Sequence, residues 1–559
     1  MYISPVTAVM TKEIFLPPDI VLEPAKRLQA GALTCLYEGG KLRYICLAQT
    51  EILRMLYPAV RDSQWGTLPC TISNEQLVIG TDTFTIQYTA VYYQEKPVYE
   101  AQYSIEGCSC NRIVFSMKGR ALAAFEKNRI GLCVLHPVKE CSGQPVTIVR
   151  AGGGSCTAGF PVQIAPVQPF HNVAEMHWRT ADGCDAEVIF EGEVFETEDQ
   201  RNWMDHSYKT YSTPQAIPFP VKVQAGDTVM QKISVTANAA AAQPSVPVAL
   251  TEERISFPAI GYGRSAHQPQ LTDEVINCLQ KIPFHHYNVR LALDEPGWQQ
   301  ILQMACAEAV QLQTKLDLAL VFSDAYPQEL EALLELLSRQ QAILLRILPL
   351  QKDEAVTPEA LLNYVYPRIK SRLPGVKTGH GTRQFFTELN RQRPRQSLFD
   401  FVSFSCHPQV HATDSRSLLE NLESLPDMIN TAGELAAGKP VFIAPLTLKG
   451  AGHPAADSRQ YSRLAACWTI LALQQVAMAG SCTLFELSGE AGLVQMTAGG
   501  VQPSPVYEVL VAIQSFQPRW IIKKYAAGSL LMDGLLLENA AGDRLFFRLP
   551  ESYQVQKKQ

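Results

Sequence analysis

The sequence predicts a multidomain α and β protein: an N-terminal antiparallel β-sandwich over residues 1–245, a (β/α)8 TIM barrel over 250–513, and a small C-terminal β segment over 514–559. Three observations predict it. The 559 residues exceed what one core organises, since a domain usually holds about 100 to 250. The N-terminal part reads as short β-branched runs between turn residues, with little helical periodicity. Past a stretch of small residues and prolines, short apolar runs alternate with amphipathic helical ones.

The N-terminal runs are TCLYE, LRYICLA, CTISNEQLVIG, FTIQYTAVYY, RIVFSMKG, IGLCVLHP, AEVIFEGEVF and VMQKISVTA, separated by Gly, Asn, Asp, Ser and Pro. Antiparallel strands joined by such turns build a sandwich. The stretch ANAAAAQPSVPVALTEERI marks a linker near residues 237 to 250. Eight strand candidates follow: SFPAIGYG, HYNVRLAL, LDLALVF, AILLRIL, PGVKTGHG with QFFTELN, FDFVSFSC, KPVFIAP and CTLFEL. Between them lie helical stretches such as PQELEALLELLSRQQ and SRQYSRLAACWTILALQQVAMAG, the second apolar nearly all round. Eight such units make a barrel. A doubly wound open sheet is the structural alternative, although no GxGxxG turn follows the first strand. RWIIKKY, SLLMDGLLLEN and DRLFFRLP then read as three strands, with completion of the N-terminal sandwich left open.

Apolar residues make up 47% and charged residues 18%, with a formal charge of −6, which fits a globular chain and argues against a nucleic-acid partner. The start has no basic segment followed by an apolar one, and no window reaches the roughly 18 apolar residues of a membrane span. A cytoplasmic protein with no membrane partner is expected. The 14 cysteines sit in apolar runs without a CxxC, and Cys108 and Cys110 are one residue apart. Buried reduced thiols are the expectation.

Barrel active sites collect at the carboxyl ends of the strands. There QFFTELNRQRP supplies Glu388, with Asn390, Arg391 and Arg393, and CTLFELSGE supplies Glu486 before Ser488, Gly489 and Glu490. Two carboxylates behind apolar residues suit acid/base or nucleophilic work on sugars. Taken singly, a strand-end glutamate is more often a salt-bridge or cap residue. Arg290, Asp324, His407, His411, Thr447 and Lys449 add polar groups at other strand ends, while Arg290 and Arg346 serve equally well as partners of acids inside a barrel. His407 and His411 are interrupted by Pro408, so a helical metal pair is not expected, and neither metal nor cofactor is called for. GHGT lacks the P-loop lysine, and no GxSxG occurs at a strand-to-helix turn.

The stretch FETEDQRNWMDHSYKTY mixes acids with aromatics and cations. Glu198, Asp199, Arg201, Asn202, Trp203, Lys209 and Tyr211 read either as groups that grip and stack on a sugar, or as a buried ion network between domains.

That stretch, with its continuation STPQAIPFP, and FFTELNR, FVSFSCHPQVHATD and TLFELSGEAG together resemble the D-apionate lactonase family, over about residues 130 to 500. The resemblance implies a carboxylic ester hydrolase that opens a sugar lactone, D-apionolactone, to D-apionate in apiose catabolism. It implies a glycosidase-like barrel, in which the paired glutamates of retaining enzymes lie on the fourth and seventh strands. Here Glu388 and Glu486 fall on the fifth and eighth runs, so the spacing agrees and the register is off by one. Either SFPAIGYG is not the first barrel strand or the analogy is looser. On this reading Glu486 activates water or attacks directly and Glu388 protonates the leaving alkoxide, the two roles being exchangeable, with Arg290, His407 and Lys449 for the oxyanion and hydroxyls. A glycoside hydrolase using the same carboxylates and a non-catalytic carbohydrate-binding protein are the alternatives.

Overall fold

The computed structural model describes residues 11–17, 19–20, 22–239, 250–265, 268–395, 398–448, 457–488, 492–497, 499–526 and 529–554. The expected linker near 237–250 falls mostly outside them. Two compact units form, one from Glu23–Arg201 and His206–Val246, the other from Met1–Leu22, Asn202–Asp205 and Pro247–Gln556.

Strands dominate the first unit. Its seventeen-stranded sheet is antiparallel and contains every N-terminal run read from the sequence. The ladder passes from Thr50–Asp62 through Phe125–Pro137, Ser207–Tyr211, Phe195–Asp199, Phe170–Arg179 and Cys184–Glu191 to Thr228–Ala239. Alternation decides which side chains go inside: in Phe84–Tyr93 and Arg112–Ala121 every second residue is buried. The ladder bends back on itself, so residues from its distant parts, among them Leu42, Ile52, Tyr99, Phe115, Ile130 and Ile233, share one core. Each such burial contributes about 1.5 to 3 kcal/mol. Twelve cysteines are free, but Cys108 and Cys110 form a disulfide, against the expectation of thiols throughout.

The other unit holds the barrel. Its strands are Ala259–Gly263, His286–Ala292, Lys315–Phe322, Leu344–Gln351, Lys377–Phe385, Phe401–Cys406, Val441–Leu446 and Ser481–Ser488, all parallel. The eighth pairs with the first, which closes the barrel and rules out an open doubly wound sheet. SFPAIGYG thus contains the first strand, and the offset from the fourth-and-seventh pattern stands. The helix Arg463–Val476 is buried at every position from Leu464 to Val476, as its unbroken apolar character requires. One expected strand is shorter than read: it ends at Phe385, and Phe386–Arg391 is a short helix. Phe386, Thr387, Leu389 and Asn390 are buried, and Phe386, Leu389 and Asn390 among them follow the i, i+3, i+4 spacing of a helix.

The C-terminal strands do not join the N-terminal sheet. Pro518–Ala526, Gly534–Asn539 and Arg544–Arg548 pair with Thr11–Phe15 and Leu250–Ser256 in a separate sheet of the barrel unit. Gln474 of the helix Arg463–Val476 donates to the carbonyls of Leu531 and Gly534 beside it. Among the described residues no helix is long and apolar enough to cross a membrane.

Candidate active site

Glycines and a bulge shape the barrel interior. Gly261 on the first strand has no side chain, and a Cβ there would lie 2.3 Å from the His286 ring. That gap lets His286 on the second strand reach Thr483 on the eighth, Nε2 to Oγ1 at 2.9 Å. Ser481 likewise faces inward, where Arg346 of the fourth strand donates to its Oγ at 3.2 Å. Strict alternation would then turn Phe485 inward and Glu486 outward.

The eighth strand breaks that alternation. Gly261 pairs with Thr483, Tyr262 with Leu484 and Gly263 with Glu486, so Phe485 is one residue more than the first strand supplies. Phe485 takes a positive φ of 36°, and its ring packs on Trp468, with centroids 5.8 Å apart. Glu486 is thereby turned to the inward side of Gly263. Its carboxylate accepts from Ser265 Oγ at 2.5 Å, and the same hydroxyl reaches the Ser488 carbonyl at 2.7 Å.

Around Glu486 the fifth and second strands contribute cations. Arg383 donates from Nη1 to Asn288 Oδ1 at 2.8 Å. Burial, then the Arg290 guanidinium, pulls its proton affinity down to about 10, opposed by Asp317 and Glu486. Arg290 follows His286 and Asn288 on the inward side of the second strand and is exposed. Deeper in, Arg346 is paired with Asp317 at 2.7 Å.

Glu388 lies three residues past the fifth strand, in the short helix, half-buried and with no side-chain hydrogen bond among the described residues. Beside it Asn390 donates to Asn202 Oδ1 at 2.9 Å, and Arg393 binds Asn390 Oδ1 at 3.0 Å. Trp203 is set edge-on to Phe385, with centroids 5.2 Å apart, and to His411 at 6.2 Å, and Arg391 lies 5.7 Å over its ring. His411 contacts Asp205 at 2.6 Å, and Asn421 binds the other oxygen of that carboxylate at 3.0 Å. His407 packs on Phe385, with centroids 4.8 Å apart. Asn202, Trp203, Asn390, His407 and His411 are therefore brought together. Lys449 lies outside the described residues.

The rest of the EDQRNW stretch is used inside the N-terminal unit. Asp199 and Arg201 are 2% and 1% exposed and paired at 2.7 Å, with Arg201 also donating to the carbonyls of Pro161 and Val162. Two charges so enclosed are satisfied by each other and by the backbone, and do not present themselves to a sugar. Lys209 contacts Glu198 at 3.4 Å, and Tyr211 donates to Glu196 at 2.7 Å. Reading the sequence for polar strand ends missed Arg383, Ser265 and Asn288. The signal for Arg383 lay in TRQFF, where a cation precedes the aromatics that end the fifth strand.

Comparison with known proteins gives matches along most of the chain. The D-apionate lactonase N-terminal domain matches residues 18–240, and the D-apionate lactonase TIM barrel domain matches 260–518. A D-apionate lactonase of Brucella anthropi is 28% identical over 519 residues, which covers 85% of this chain and 84% of the relative. Among solved structures, an α-L-arabinofuranosidase from Thermotoga maritima is 11% identical, with a TM-score of 0.38 over 52% of this chain and 80% of its own. A glycoside hydrolase family 5 enzyme from Prevotella bryantii B14 is 10% identical, with a TM-score of 0.34 over 46% and 96%. Likenesses that distant carry no argument about activity.

Proposed function

The chain belongs to the D-apionate lactonase family, and from that premise we propose that it opens D-apionolactone to D-apionate, a carboxylic ester hydrolysis in apiose catabolism. The observation that best supports a site for it is the Phe485 bulge, which turns Glu486 inward beside Gly263. A backbone held at positive φ costs free energy, and such strain gathers where a side chain has to be aimed.

In the proposed reaction a water oxygen attacks the lactone carbonyl carbon while Glu486 takes its proton. Cations stabilise the oxyanion that forms; Arg290, His407 and Lys449 are the candidates read from sequence. As the tetrahedral intermediate collapses, the ring C–O bond breaks and Glu388 protonates the departing alkoxide. The roles of the two glutamates are interchangeable in this scheme. Trp203, Asn202, Asn390 and His411 supply ring faces and hydrogen bonds for the sugar.

The test is pH-stat titration of the purified protein against five-membered aldonolactones, D-apionolactone included, with Glu486→Gln and Glu388→Gln alongside. Acid release above the spontaneous rate, reduced about 100-fold or more in the variants, is expected. No release from any lactone would overturn the proposal, and release of reducing sugar from aryl glycosides would replace it with glycosidase activity.

A further inference from the structure

Two arginines inside the barrel are neutralised in different ways. Arg346 holds the Asp317 carboxylate with Nη2 at 2.7 Å and Nε at 3.1 Å, donates to Ser481, and lies 4.0 Å over the Phe442 ring. Nothing more is asked of it. Arg383 makes one hydrogen bond, to the neutral amide of Asn288, and no ion pair among the described residues. A guanidinium has five N–H donors, so most of its capacity is unspent. Arg290, two residues past that Asn288 on the same inward side of the second strand, makes no hydrogen bond or ion pair among the described residues, and its charge opposes that of Arg383.

Around them Asp317 is held by Arg346 at 2.7 Å and Asp294 by Lys352 at 2.6 Å, while Glu486 acts on Arg383 and Asp294 on Arg290 without an ion pair. Two like charges held together at the barrel mouth are costly unless an anion joins them. On the same interior side Ala292, Ala319, Val321, Leu348 and Leu350 form an apolar cluster of the second, third and fourth strands. A ligand with one anionic end and a C–H face fits such surroundings.

We propose that Arg290 and Arg383 together form a carboxylate-binding site at the barrel mouth that takes the ring-opened sugar acid. The anion site stands on this geometry; the sugar acid as its ligand rests on the lactonase reading. A planar fork of donors matches a carboxylate well, and two of them discriminate the acid from the neutral lactone. The product therefore competes with substrate.

Isothermal titration calorimetry of the full chain tests this, with D-apionate, D-gluconate, the alditol in which a hydroxymethyl group replaces the carboxylate of apionate, and inorganic phosphate. D-apionate is expected to bind at least about tenfold more tightly than the alditol. Arg290→Gln is expected to weaken it about tenfold. Asn288→Asp, which gives Arg383 a carboxylate of its own at unchanged size, is expected to do the same. Asn288→Asp keeps the wild-type volume, Arg290→Gln shortens an exposed side chain, and their unfolding temperatures check the fold. Equal binding of acid and alditol, undiminished binding in both folded variants, or phosphate bound more tightly than any carboxylate would overturn the site. Arginine-dependent binding of D-gluconate without D-apionate would support the site and overturn the choice of sugar. Lactone hydrolysis without arginine-dependent carboxylate binding would overturn the site and leave the lactonase reading standing.

Discussion

Phe485 and Glu486 are neighbours in sequence and face opposite sides of the barrel wall. The phenyl ring packs on Trp468, with centroids 5.8 Å apart, and the carboxylate accepts from Ser265 at 2.5 Å. An extra residue at positive φ makes this possible, and the contact with Trp468 is what holds it.

Phe485→Ala should therefore act on stability and activity together. Phe485 is 1% exposed, and emptying such a site costs about 3 to 5 kcal/mol. A lower unfolding temperature accompanied by a fall in kcat is the expected outcome. A KM effect at unchanged unfolding temperature would mean that the ring lines the mouth instead.

Ser265 positions Glu486 without reacting. In Ser265→Ala the carboxylate loses its donor, and kcat on D-apionolactone should fall about tenfold, the scale of one charge-assisted hydrogen bond, with KM little changed. pH-stat kinetics separate the two constants, and Ser265→Thr, which keeps the hydroxyl, should recover much of the loss.

Asp317 acts on stability rather than on ligand binding. Asp317→Asn leaves Arg346, 3% exposed, without its carboxylate, and breaking such a pair from one side costs about 3 to 5 kcal/mol. Thermal unfolding should show the loss before any assay does.

Acid should destabilise the fold through its buried histidines. Burial pulls His136 down to about 3 and His380 to about 4, and burial together with Arg346 holds His286 well below its ordinary 6.5. Each is neutral in the folded chain at pH 7 and titrates near 6.5 once unfolded, so below that pH the unfolded state binds more protons. Their contribution is intact above about pH 6.5 and is lost as pH falls towards 3 to 4. Unfolding temperatures measured from pH 8 to 4 should stay level and then drop, with a shallower drop in His136→Asn.

Much of the barrel was legible because its signals are local. Each strand is a short apolar run and each helix an amphipathic or wholly apolar stretch, and all eight strands lie where those runs predict. Glu486 was legible for the same reason, as a carboxylate closing an apolar run. The helix at Phe386–Arg391 was hidden because six residues leave little room for a period to declare itself. The C-terminal strands were readable as strands but not by partner, since Arg544–Arg548 pairs with Thr11–Phe15 from the far end of the chain.

The sequence by itself determined most of the elements, their order and the family, because period, turn chemistry and motif are properties of neighbouring residues. Tertiary structure alone decided which way the key side chains face. The Phe485 bulge exists only as a mismatch between the eighth strand and the first, more than two hundred residues apart. Arg383 meets Asn288 and Arg290 only because a closed barrel brings the fifth strand round to the second. Register and closure are relations between distant segments, so the charge they concentrate at the mouth has no counterpart in any one stretch of the chain.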